Sequence, residues 1–376
     1  MNKKFTTALW FSVLLLLFAF LLAACGNTAA SAQPGDVGVS QTTGAQQTMT
    51  VSVTVAGVFQ EYALPQTKSG MMRPAIDHEG RIWFGEMGHN YLAVFDPHVG
   101  TFQQIVPPHG KFGVMGVEVA ADDTIWFAEQ YANYIGHYFP ATHRFQIYPL
   151  PNILAPDPSN PGKTVTLPAA PNDLTIDAGG NIWFTELNAN DIARLDPHSG
   201  AIKQYALATS SKSQALNPYG IAVDSRGRVW FTEVSSSSIG WLDPSTGAQH
   251  TYSFPGLSTG LMEIASDPRG LIWITSFNAG LLLNLNPQTG AVTRYYASAP
   301  GGNAGGVYGL TITAGGEVWV TLAALNIIAR LDVAADRFIY YPIPTSASLP
   351  LGIVSGPHGT FWFTEAGSDK IGMLQP

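Results

Sequence analysis

The stretch Asn181-Ile-Trp-Phe-Thr-Glu186 decides the fold, because variants of it recur along the chain. The six other copies begin at Arg81, Thr124, Arg228, Leu271, Glu317 and Thr360, and each is centred on a tryptophan. Successive tryptophans, from Trp83 to Trp362, are separated by 43, 57, 47, 43, 46 and 43 residues. This is the spacing of four-stranded propeller blades. The sequence therefore predicts an all-β, seven-bladed β-propeller.

The fourth repeat shows the strands of one blade most clearly. Short β-rich runs at 221–223, 229–233, 237–243 and 250–254 are divided by turns such as Asp243-Pro-Ser-Thr-Gly247. The tryptophan-centred run is apolar on both faces, as expected for a sheet that is stacked between two others. No segment after residue 50 has a helical period.

The end of the chain predicts how the ring closes. The last repeat ends at Pro376 after three strands, and Phe59-Gln-Glu-Tyr-Ala-Leu-Pro65 resembles the outer-strand segments 145–151 and 338–344. We therefore expect the N-terminal strand to complete blade seven, which removes the exposed sheet edges.

The N-terminus predicts export. A positive start, Met1-Asn-Lys-Lys4, precedes an apolar run at 8–24, as in a secretory signal. Leu22-Ala-Ala-Cys25 resembles a bacterial lipobox, so we expect a signal peptide at 1–24 and a lipidated Cys25 on the outer face of a bacterial membrane. An ordinary signal peptide or a membrane anchor with a bystander cysteine is the alternative. Residues 25–50, rich in Ser, Thr, Ala, Gln and Gly, then form a flexible tether of roughly 25 to 30 Å, and 51–376 form the propeller.

Charge and cysteine content restrict the partners. The net charge is −8, and removal of the signal peptide makes it −10, because Lys3 and Lys4 are lost. An acidic domain without clustered Lys or Arg disfavours nucleic acid and anionic lipid as partners. Cys25 is the only cysteine, so the propeller has no internal disulfide. We expect a monomer.

The two faces of the propeller differ in their loops. We call one of them the variable face. It carries the loops that join the second strand to the third, and the loops that join the outer strand of one blade to the inner strand of the next. The other, the short-turn face, carries the repeated Asp-x-x-Gly and Asp-Pro-x-x-Gly turns. The longest variable loop, 152–170, is either a lid or family drift; 209–217 and 300–306 are others. Binding sites lie most often on variable loops of a rigid scaffold.

Two groups of side chains are candidates for the site. A catalytic or metal-binding cluster would combine His89 and His109 with Glu86 and Glu129, since histidine and carboxylate suit both tasks; solvated histidines are the alternative. Glu86 and Glu129 also belong to a recurring set with Glu186, Glu233 and Glu365, which is either an acidic funnel or a structural feature of the repeat. We predict a ligand-binding set at the mouth of the central channel, composed of Arg73, Asp173, Glu263, Tyr219 and Tyr308.

Repetition of Trp-Phe-Thr-Glu, Ile-Gly/Ala-Arg-Leu-Asp-Pro and Tyr-Pro-Leu-Pro over residues 55–376 resembles the virginiamycin B lyase (streptogramin lyase) family. The resemblance implies a seven-bladed propeller that opens the lactone ring of type B streptogramins by elimination, with Mg²⁺. It also implies catalytic histidines in Pro-His pairs that open inner strands, with a Glu just beyond a Trp-Phe strand. The positions aligned with that histidine are Met72, Met115, Asn172, Tyr219, Met262, Tyr308 and Leu351.

Because none of these seven residues is histidine, two main hypotheses remain. The first is a membrane-tethered, extracytoplasmic propeller that binds a small molecule, a glycan or a peptide without lyase chemistry. The second is an enzyme, either a Mg²⁺-dependent streptogramin lyase whose base has moved to His89 or His109 or a lactone-directed hydrolase. A structural partner in an envelope complex is a third possibility.

Overall fold

The structure, a computed structural model, describes residues 53–109, 113–157, 159–160, 162–208, 215–297 and 305–376. The predicted signal peptide, Cys25 and the tether lie outside these residues. The described residues form 31 strands and one 3₁₀ turn, Pro357–Gly359. Within them, no helix is long and apolar enough to cross a membrane.

The strands, numbered along the chain, fall into seven blades. The N-terminal strands are β1 (Val53–Thr54) and β2 (Val58–Ala63). Blade one comprises β3 (Met71–Ile76), β4 (Ile82–Glu86), β5 (Tyr91–Asp96) and β6 (Thr101–Ile105). Blade two comprises β7 (Val114–Val119), β8 (Ile125–Glu129), β9 (Tyr134–Phe139) and β10 (Arg144–Pro149). An inserted hairpin, β11 (Asn152–Pro156) and β12 (Thr164–Pro168), precedes blade three, which comprises β13 (Pro171–Ile176), β14 (Ile182–Glu186), β15 (Asp191–Leu195) and β16 (Ile202–Ala206).

The remaining blades repeat this order. Blade four comprises β17 (Pro218–Val223), β18 (Val229–Glu233), β19 (Ser238–Leu242) and β20 (Gln249–Ser253). Blade five comprises β21 (Leu261–Ser266), β22 (Ile272–Ser276), β23 (Leu281–Leu285) and β24 (Val292–Tyr296). Blade six comprises β25 (Val307–Ile312), β26 (Val318–Leu322), β27 (Ile327–Asp332) and β28 (Arg337–Pro342). Blade seven comprises β29 (Pro350–Ser355), β30 (Phe361–Glu365), β31 (Lys370–Gln375) and the N-terminal β2.

Ring closure follows the prediction. Strand β2 pairs antiparallel with β31, with Val58 opposite Gln375 and Ala63 opposite Lys370. The short β1 adds a fifth, parallel strand to blade six beside β28. The seven-bladed, all-β fold and its closure by the N-terminal strand are thus confirmed.

The tryptophan-centred strands form the interior of the fold. All seven second strands are buried at every position. The apolar clusters join neighbouring blades; one includes Trp126 of blade two and Phe184 of blade three. In four blades the indole N–H donates to the first aspartate of the Asp-x-x-Gly turn, as from Trp230 to Asp224 at 2.9 Å. Those aspartates therefore anchor turns, as their sequence pattern predicts.

In five of the seven blades the threonine of the repeat joins the blade to the next; blades one and two have Gly85 and Ala128 at this position. Thr232 Oγ1 accepts a hydrogen bond from the Gly220 N–H at 2.9 Å and donates one to the Met262 carbonyl of blade five at 2.7 Å. Blades three, five, six and seven use their threonines in the same way, through Thr185, Thr275, Thr321 and Thr364. A β-bulge near the start of each inner strand, between its first and fourth residues, brings the bonded carbonyl to the neighbouring blade.

The long insertion is a separate two-stranded sheet. Strands β11 and β12 pair antiparallel with each other and with no blade strand among the described residues. Ile153 packs against the core of blades two and three, while Leu154 is 74% exposed. The hairpin is therefore fixed at its base and presents an apolar side chain to solvent.

Candidate functional site

The third residue of each inner strand is either charged or glycine. Blades one, three and five carry Arg73, Asp173 and Glu263, and the other four blades carry Gly116, Gly220, Gly309 and Gly352. A Cβ on Gly309 would lie 2.1 Å from the Leu351 carbonyl oxygen of the next blade. Glycine thus permits the inner strands to approach closely, and the space in the channel is left to the three charged side chains.

These three side chains meet across the central channel. Arg73 Nε donates to Glu263 Oε2 at 3.0 Å and lies 3.4 Å from Asp173 Oδ1, and Nη2 lies 2.8 Å from Glu263 Oε1. The three side chains are only 10 to 12% exposed. We call Arg73, Asp173 and Glu263 the charge network. It ties blades one, three and five together through the centre of the ring.

The two tyrosines lie against this network. The Arg73 guanidinium is 4.9 Å from the centroid of the Tyr219 ring, close enough for a cation–π contact. The Tyr219 and Tyr308 hydroxyls share a hydrogen bond of 2.5 Å. The structure therefore brings together all five residues of the predicted ligand-binding set.

Burial perturbs the ionisation of this network. Burial of Asp173 raises the pKa of its carboxyl to about 7; Arg73 acts in the opposite direction, and Glu263 adds to the rise. Burial also raises the pKa of the hydroxyls of Tyr219 and Tyr308. The Arg73 guanidinium is the main influence that favours the ionised Asp173 carboxylate, with smaller contributions from the Ile221 and Leu174 backbone N–H groups, whereas desolvation disfavours the charged form.

The network lies inside the channel rather than at a mouth on the variable face. Of the seven second residues of the inner strands, six are at most 4% exposed: Met115, Asn172, Tyr219, Met262, Tyr308 and Leu351. None of these lines the cavity of about 290 Å³ in which Arg73, Asp173 and Glu263 lie. The cavity instead extends along later residues of the inner strands, toward the short-turn face. We call it the channel cavity.

Glu118 is a further charged residue of this cavity that the sequence reasoning missed. It is the fifth residue of the blade-two inner strand, where the other blades carry Ala75, Thr175, Ala222, Ala265, Thr311 and Val354. Burial, with a smaller contribution from Asp173, raises the pKa of its carboxyl to about 8. A single carboxylate in a column of small, uncharged residues is the sequence signal that identifies it.

The recurring glutamates are buried within their blades. Glu86, Glu129, Glu186, Glu233 and Glu365 are at most 3% exposed. Gln104 and Gln204 of the outer strands donate to Glu86 and Glu186 at 2.7 and 2.6 Å. The Ser236 and Ser368 hydroxyls donate to Glu233 and Glu365. These carboxylates are therefore part of the blade framework and do not form an exposed acidic funnel.

Glu129 differs from the other four. It is fully buried, neither carboxylate oxygen has a well-formed hydrogen bond, and the Ala132 backbone N–H interacts with it only weakly. Ile147 on the outer strand of blade two occupies the position of Gln104 in blade one. Each lies opposite the small residue of the third strand in its blade. Burial without that partner raises the pKa of the Glu129 carboxyl to about 8, so that the neutral acid predominates at pH 7.

The histidines are less closely associated than the sequence hypothesis requires. His89 Nδ1 lies 3.3 Å from Glu86 Oε2, and the His89 side chain is 24% exposed. His109, with φ of 65°, follows Pro108, whose carbonyl accepts a hydrogen bond from the Tyr134 hydroxyl. Within the described part of the chain, no three His, Cys, Asp or Glu side chains are placed to hold a metal ion. The His89 and Glu86 pair alone does not provide the oxygen-rich coordination that Mg²⁺ prefers.

Comparisons with known proteins agree with this architecture. The sequence profile of the virginiamycin B lyase family matches residues 163–376, more than half of the chain. Selenomethionine-substituted virginiamycin B lyase from Staphylococcus aureus is similar at 26% identity and a TM-score of 0.73, over 85% of this chain and 99% of that one. A streptogramin B lyase structure is similar at 27% identity and a TM-score of 0.72, over 85% and 97%.

A third similar structure is a catalytically inactive histidine-to-alanine variant of the S. aureus enzyme with quinupristin. It has 26% identity and a TM-score of 0.72, over 85% of this chain and 99% of that one. No curated protein sequence matches the chain significantly. The family profile and the structural similarity over the whole propeller show that the chain belongs to the virginiamycin B lyase family.

Proposed function

We propose that this protein is an exported, lipid-anchored propeller that binds a ligand on its variable face and does not open streptogramin rings. One observation carries the proposal: none of the seven inner strands, all of which are described, contains a histidine. Elimination requires a base for a C–H bond beside a carbonyl group and a cation or hydrogen-bond donor for the developing enolate. At the seven inner-strand positions that align with the family's catalytic histidine, the chain instead has apolar, amide and phenol side chains.

Two features support binding without this catalysis. In the S. aureus relative, exchange of one histidine for alanine gives a catalytically inactive protein, and the structure of that variant is with quinupristin. Loss of catalysis and retention of a ligand are therefore compatible in this fold. The inserted hairpin of the present chain also presents the exposed Leu154 beside the blades. We infer a small molecule, a glycan or a peptide as the ligand class, and no nucleic acid.

The first test compares binding with turnover. The purified protein is mixed with a type B streptogramin with and without Mg²⁺, binding is followed by calorimetry, and ring opening is followed by mass spectrometry and chromatography. We expect no ring-opened product in either condition. Ring opening without a gain in mass would establish elimination and refute the proposal.

Anchoring is tested separately. We expect a labelled fatty acid to be incorporated into the wild-type chain and not into Cys25→Ala, and the wild-type protein to fractionate with membranes as a monomer. Incorporation into the variant, or an unlabelled soluble wild-type protein, would remove the lipid anchor from the proposal.

A second candidate function is a lyase with a relocated base. The 3.3 Å approach of His89 Nδ1 to Glu86 Oε2 favours it, because a carboxylate that contacts one ring nitrogen fixes the orientation of the imidazole. If the assay detects ring opening, His89→Ala should abolish turnover and His109→Ala should show whether the second histidine contributes. Unchanged turnover in both variants would exclude these histidines.

A further inference from the structure

The channel cavity is a binding-site candidate that the proposed function does not use. Its volume of about 290 Å³ is near the lower end of the range for small-ligand pockets, roughly 300 to 1,000 Å³. It lies between the charge network and the short-turn face, so it is separate from the variable loops. The inference therefore stands independently of the proposed function.

The cavity has more carboxylates than cations. Asp173, Glu263 and Glu118 face it, with Arg73 as its one positively charged lining residue. The guanidinium is already engaged by Glu263 and Asp173. Among the described residues no cation forms an ion pair with Glu118, and the charged group that acts on it is the like-charged Asp173. A partly buried carboxylate without a counter-ion is unfavourable, so the cavity favours a positively charged occupant.

The remaining wall includes four partly exposed aliphatic side chains, Ile76, Val119, Leu310 and Val354. The other aliphatic residues around the cavity are buried between the blades. Aliphatic walls favour an organic ligand over a hydrated metal ion, and no group of three donors in the described chain is arranged for a metal. The lining thus fits a charged head group joined to a short hydrocarbon body.

Access is from the short-turn face. The first residue of every inner strand is buried, and the last residue of every inner strand is partly exposed. Exposure therefore increases along the channel away from the variable face, and Glu118, the fifth residue of its strand, lies near the open end. A ligand that enters there reaches Glu118 before it reaches the charge network.

We propose that the channel cavity binds a small organic cation, an ammonium group on a short aliphatic body, with Glu118 as its main counter-ion and Asp173 as the second. The ammonium group donates hydrogen bonds to the carboxylates, and the hydrocarbon body packs on the isoleucine and leucine side chains.

This arrangement couples binding to protons. The titratable lining groups are Glu118 on β7, Asp173 on β13, Glu263 on β21 and Arg73 on β3; the lining residues of β17, β25 and β29 are uncharged. Without a ligand, burial keeps a proton on Glu118 at pH 7 and leaves Asp173 about half protonated, since their pKa values are raised to about 8 and about 7. An arriving cation displaces these protons, so binding is expected to release protons and to strengthen as the pH rises.

The test uses n-butylammonium chloride as the probe and 1-butanol as its uncharged analogue. Calorimetry of the full chain is run at pH 5, 7 and 8, in two buffers of different ionisation enthalpy at pH 7 to count released protons. We expect butylammonium binding that is about tenfold or more tighter at pH 8 than at pH 5, with proton release and no binding of butanol. Glu118→Gln should weaken the binding about tenfold or more, the usual effect of losing a charge-assisted contact.

Two further variants separate the site from a general effect of charge. Glu317→Gln removes an exposed surface carboxylate and should leave the affinity unchanged. Val354→Phe reduces the cavity from its open end without altering a charge, so it should also abolish binding, and it serves if Glu118→Gln does not fold. Butanol binding as tight as that of butylammonium, equal affinities of wild type and Glu118→Gln, or displacement by equimolar MgCl₂ would overturn the proposal. No binding at millimolar concentration would overturn it too.

Discussion

Replacement of Arg73 by methionine tests whether the charge network is a closed, desolvated unit. Arg73 Nη2 is 2.8 Å from Glu263 Oε1, Nε is 3.4 Å from Asp173 Oδ1, and all three side chains are about nine-tenths buried. Methionine retains most of the side-chain length but removes the positive charge. Asp173, which is already protonated below its pKa of about 7 in the wild type, then stays protonated at higher pH. The Glu263 carboxylate loses its counter-ion and must take up a proton.

The magnitude follows from the cost of that proton. A glutamate carboxyl group ionises near pH 4.3 in the unfolded chain, so holding Glu263 neutral in the folded state costs about 1.4 kcal/mol for each pH unit above about 4.3. One carboxyl group held neutral in Arg73→Met but ionised in the wild type makes the variant about 1 kcal/mol less stable at pH 5 and about 5 kcal/mol less stable at pH 8. The latter value agrees with the roughly 3 to 5 kcal/mol expected when one partner of a buried ion pair is removed.

The sign of the pH effect is fixed by the direction of the shift. A carboxyl group whose folded-state pKa is raised binds more protons in the folded chain than in the unfolded chain, so stability falls as the pH rises. Asp173, with a pKa of about 7, already contributes such a loss between roughly pH 4 and 7 in the wild type. The variant should show a steeper loss that continues beyond pH 7.

Urea unfolding of the wild type and Arg73→Met, from pH 5 to pH 8, measures this difference. The triple variant Arg73→Met, Asp173→Asn, Glu263→Gln has no charges in the network and should recover most of the stability and lose the added pH dependence. Arg330→Met breaks an exposed pair with Glu317 and should cost no more than about 1 kcal/mol. A loss below about 1 kcal/mol at pH 8, with no pH dependence, would refute the reasoning and show that water already hydrates the network.

Three further predictions concern the framework. Thr232→Val leaves the Gly220 N–H and the Met262 carbonyl without partners and should lower the free energy of urea unfolding by about 2 to 3 kcal/mol. The exposed control Thr251→Val should lower it hardly at all. Equal effects would contradict the linking role of Thr232. Burial, with Glu61 as a further cause, raises the pKa of Glu365 to about 7, which lowers stability as the pH rises from about 4.5 to 7. Glu61→Gln should therefore increase the free energy of unfolding by about 1 to 2 kcal/mol at pH 8 and by little at pH 5. The opposite order would exclude this pairing. A chain that begins at residue 66 lacks β2 and should unfold at a much lower urea concentration than one that begins at residue 51; similar midpoints would contradict closure by β2.

The fold could be predicted because every blade has to meet the same packing requirements. Each second strand must be apolar on both faces to lie between two neighbours, and each turn needs Asp or Gly at fixed positions. These requirements are local and repeated, so the tryptophan spacing alone gives the number of blades. Ring closure was predictable for a related reason, since residues 59–65 carry the outer-strand pattern without a preceding blade.

The membership of the candidate site could be predicted, but its place in the channel could not. The alternation of charged and glycine residues at the third inner position marks Arg73, Asp173 and Glu263 in the sequence. Whether these three residues line an open mouth depends on how far the side chains at the second inner-strand position fill the central channel. That depends on all seven blades together. Glu118 was missed because only the first residues of the inner strands were compared, and the fifth residue, which is uncharged in the six other blades, was not.

The glutamates illustrate a second limit. Five copies of one motif imply one role, and four of them do have polar partners within their own blades. Glu129 lacks such a partner because blade two has Ile147 where blades one and three have a glutamine, and Ala132 where blades four and seven have a serine. A repeat-based argument averages over copies, so it does not identify the copy that has lost its partner.

The positions that could hold catalytic histidines and the charge network occupy adjacent layers of the same seven strands. In the upper layer, apolar, amide and phenol side chains are buried and provide no base; in the lower layer, an arginine crosses the channel to two carboxylates. A histidine at position 72 of the upper layer would be next to Arg73 in the strand, and the positive charge of the guanidinium would lower the pKa of the imidazole and disfavour its protonated form. Introducing histidine at Met72 alone should therefore not restore a lyase. Replacing Arg73, Asp173 and Glu263 by neutral residues would also be required, and a variant that gains ring opening with the charge network intact would disprove this link between the two layers.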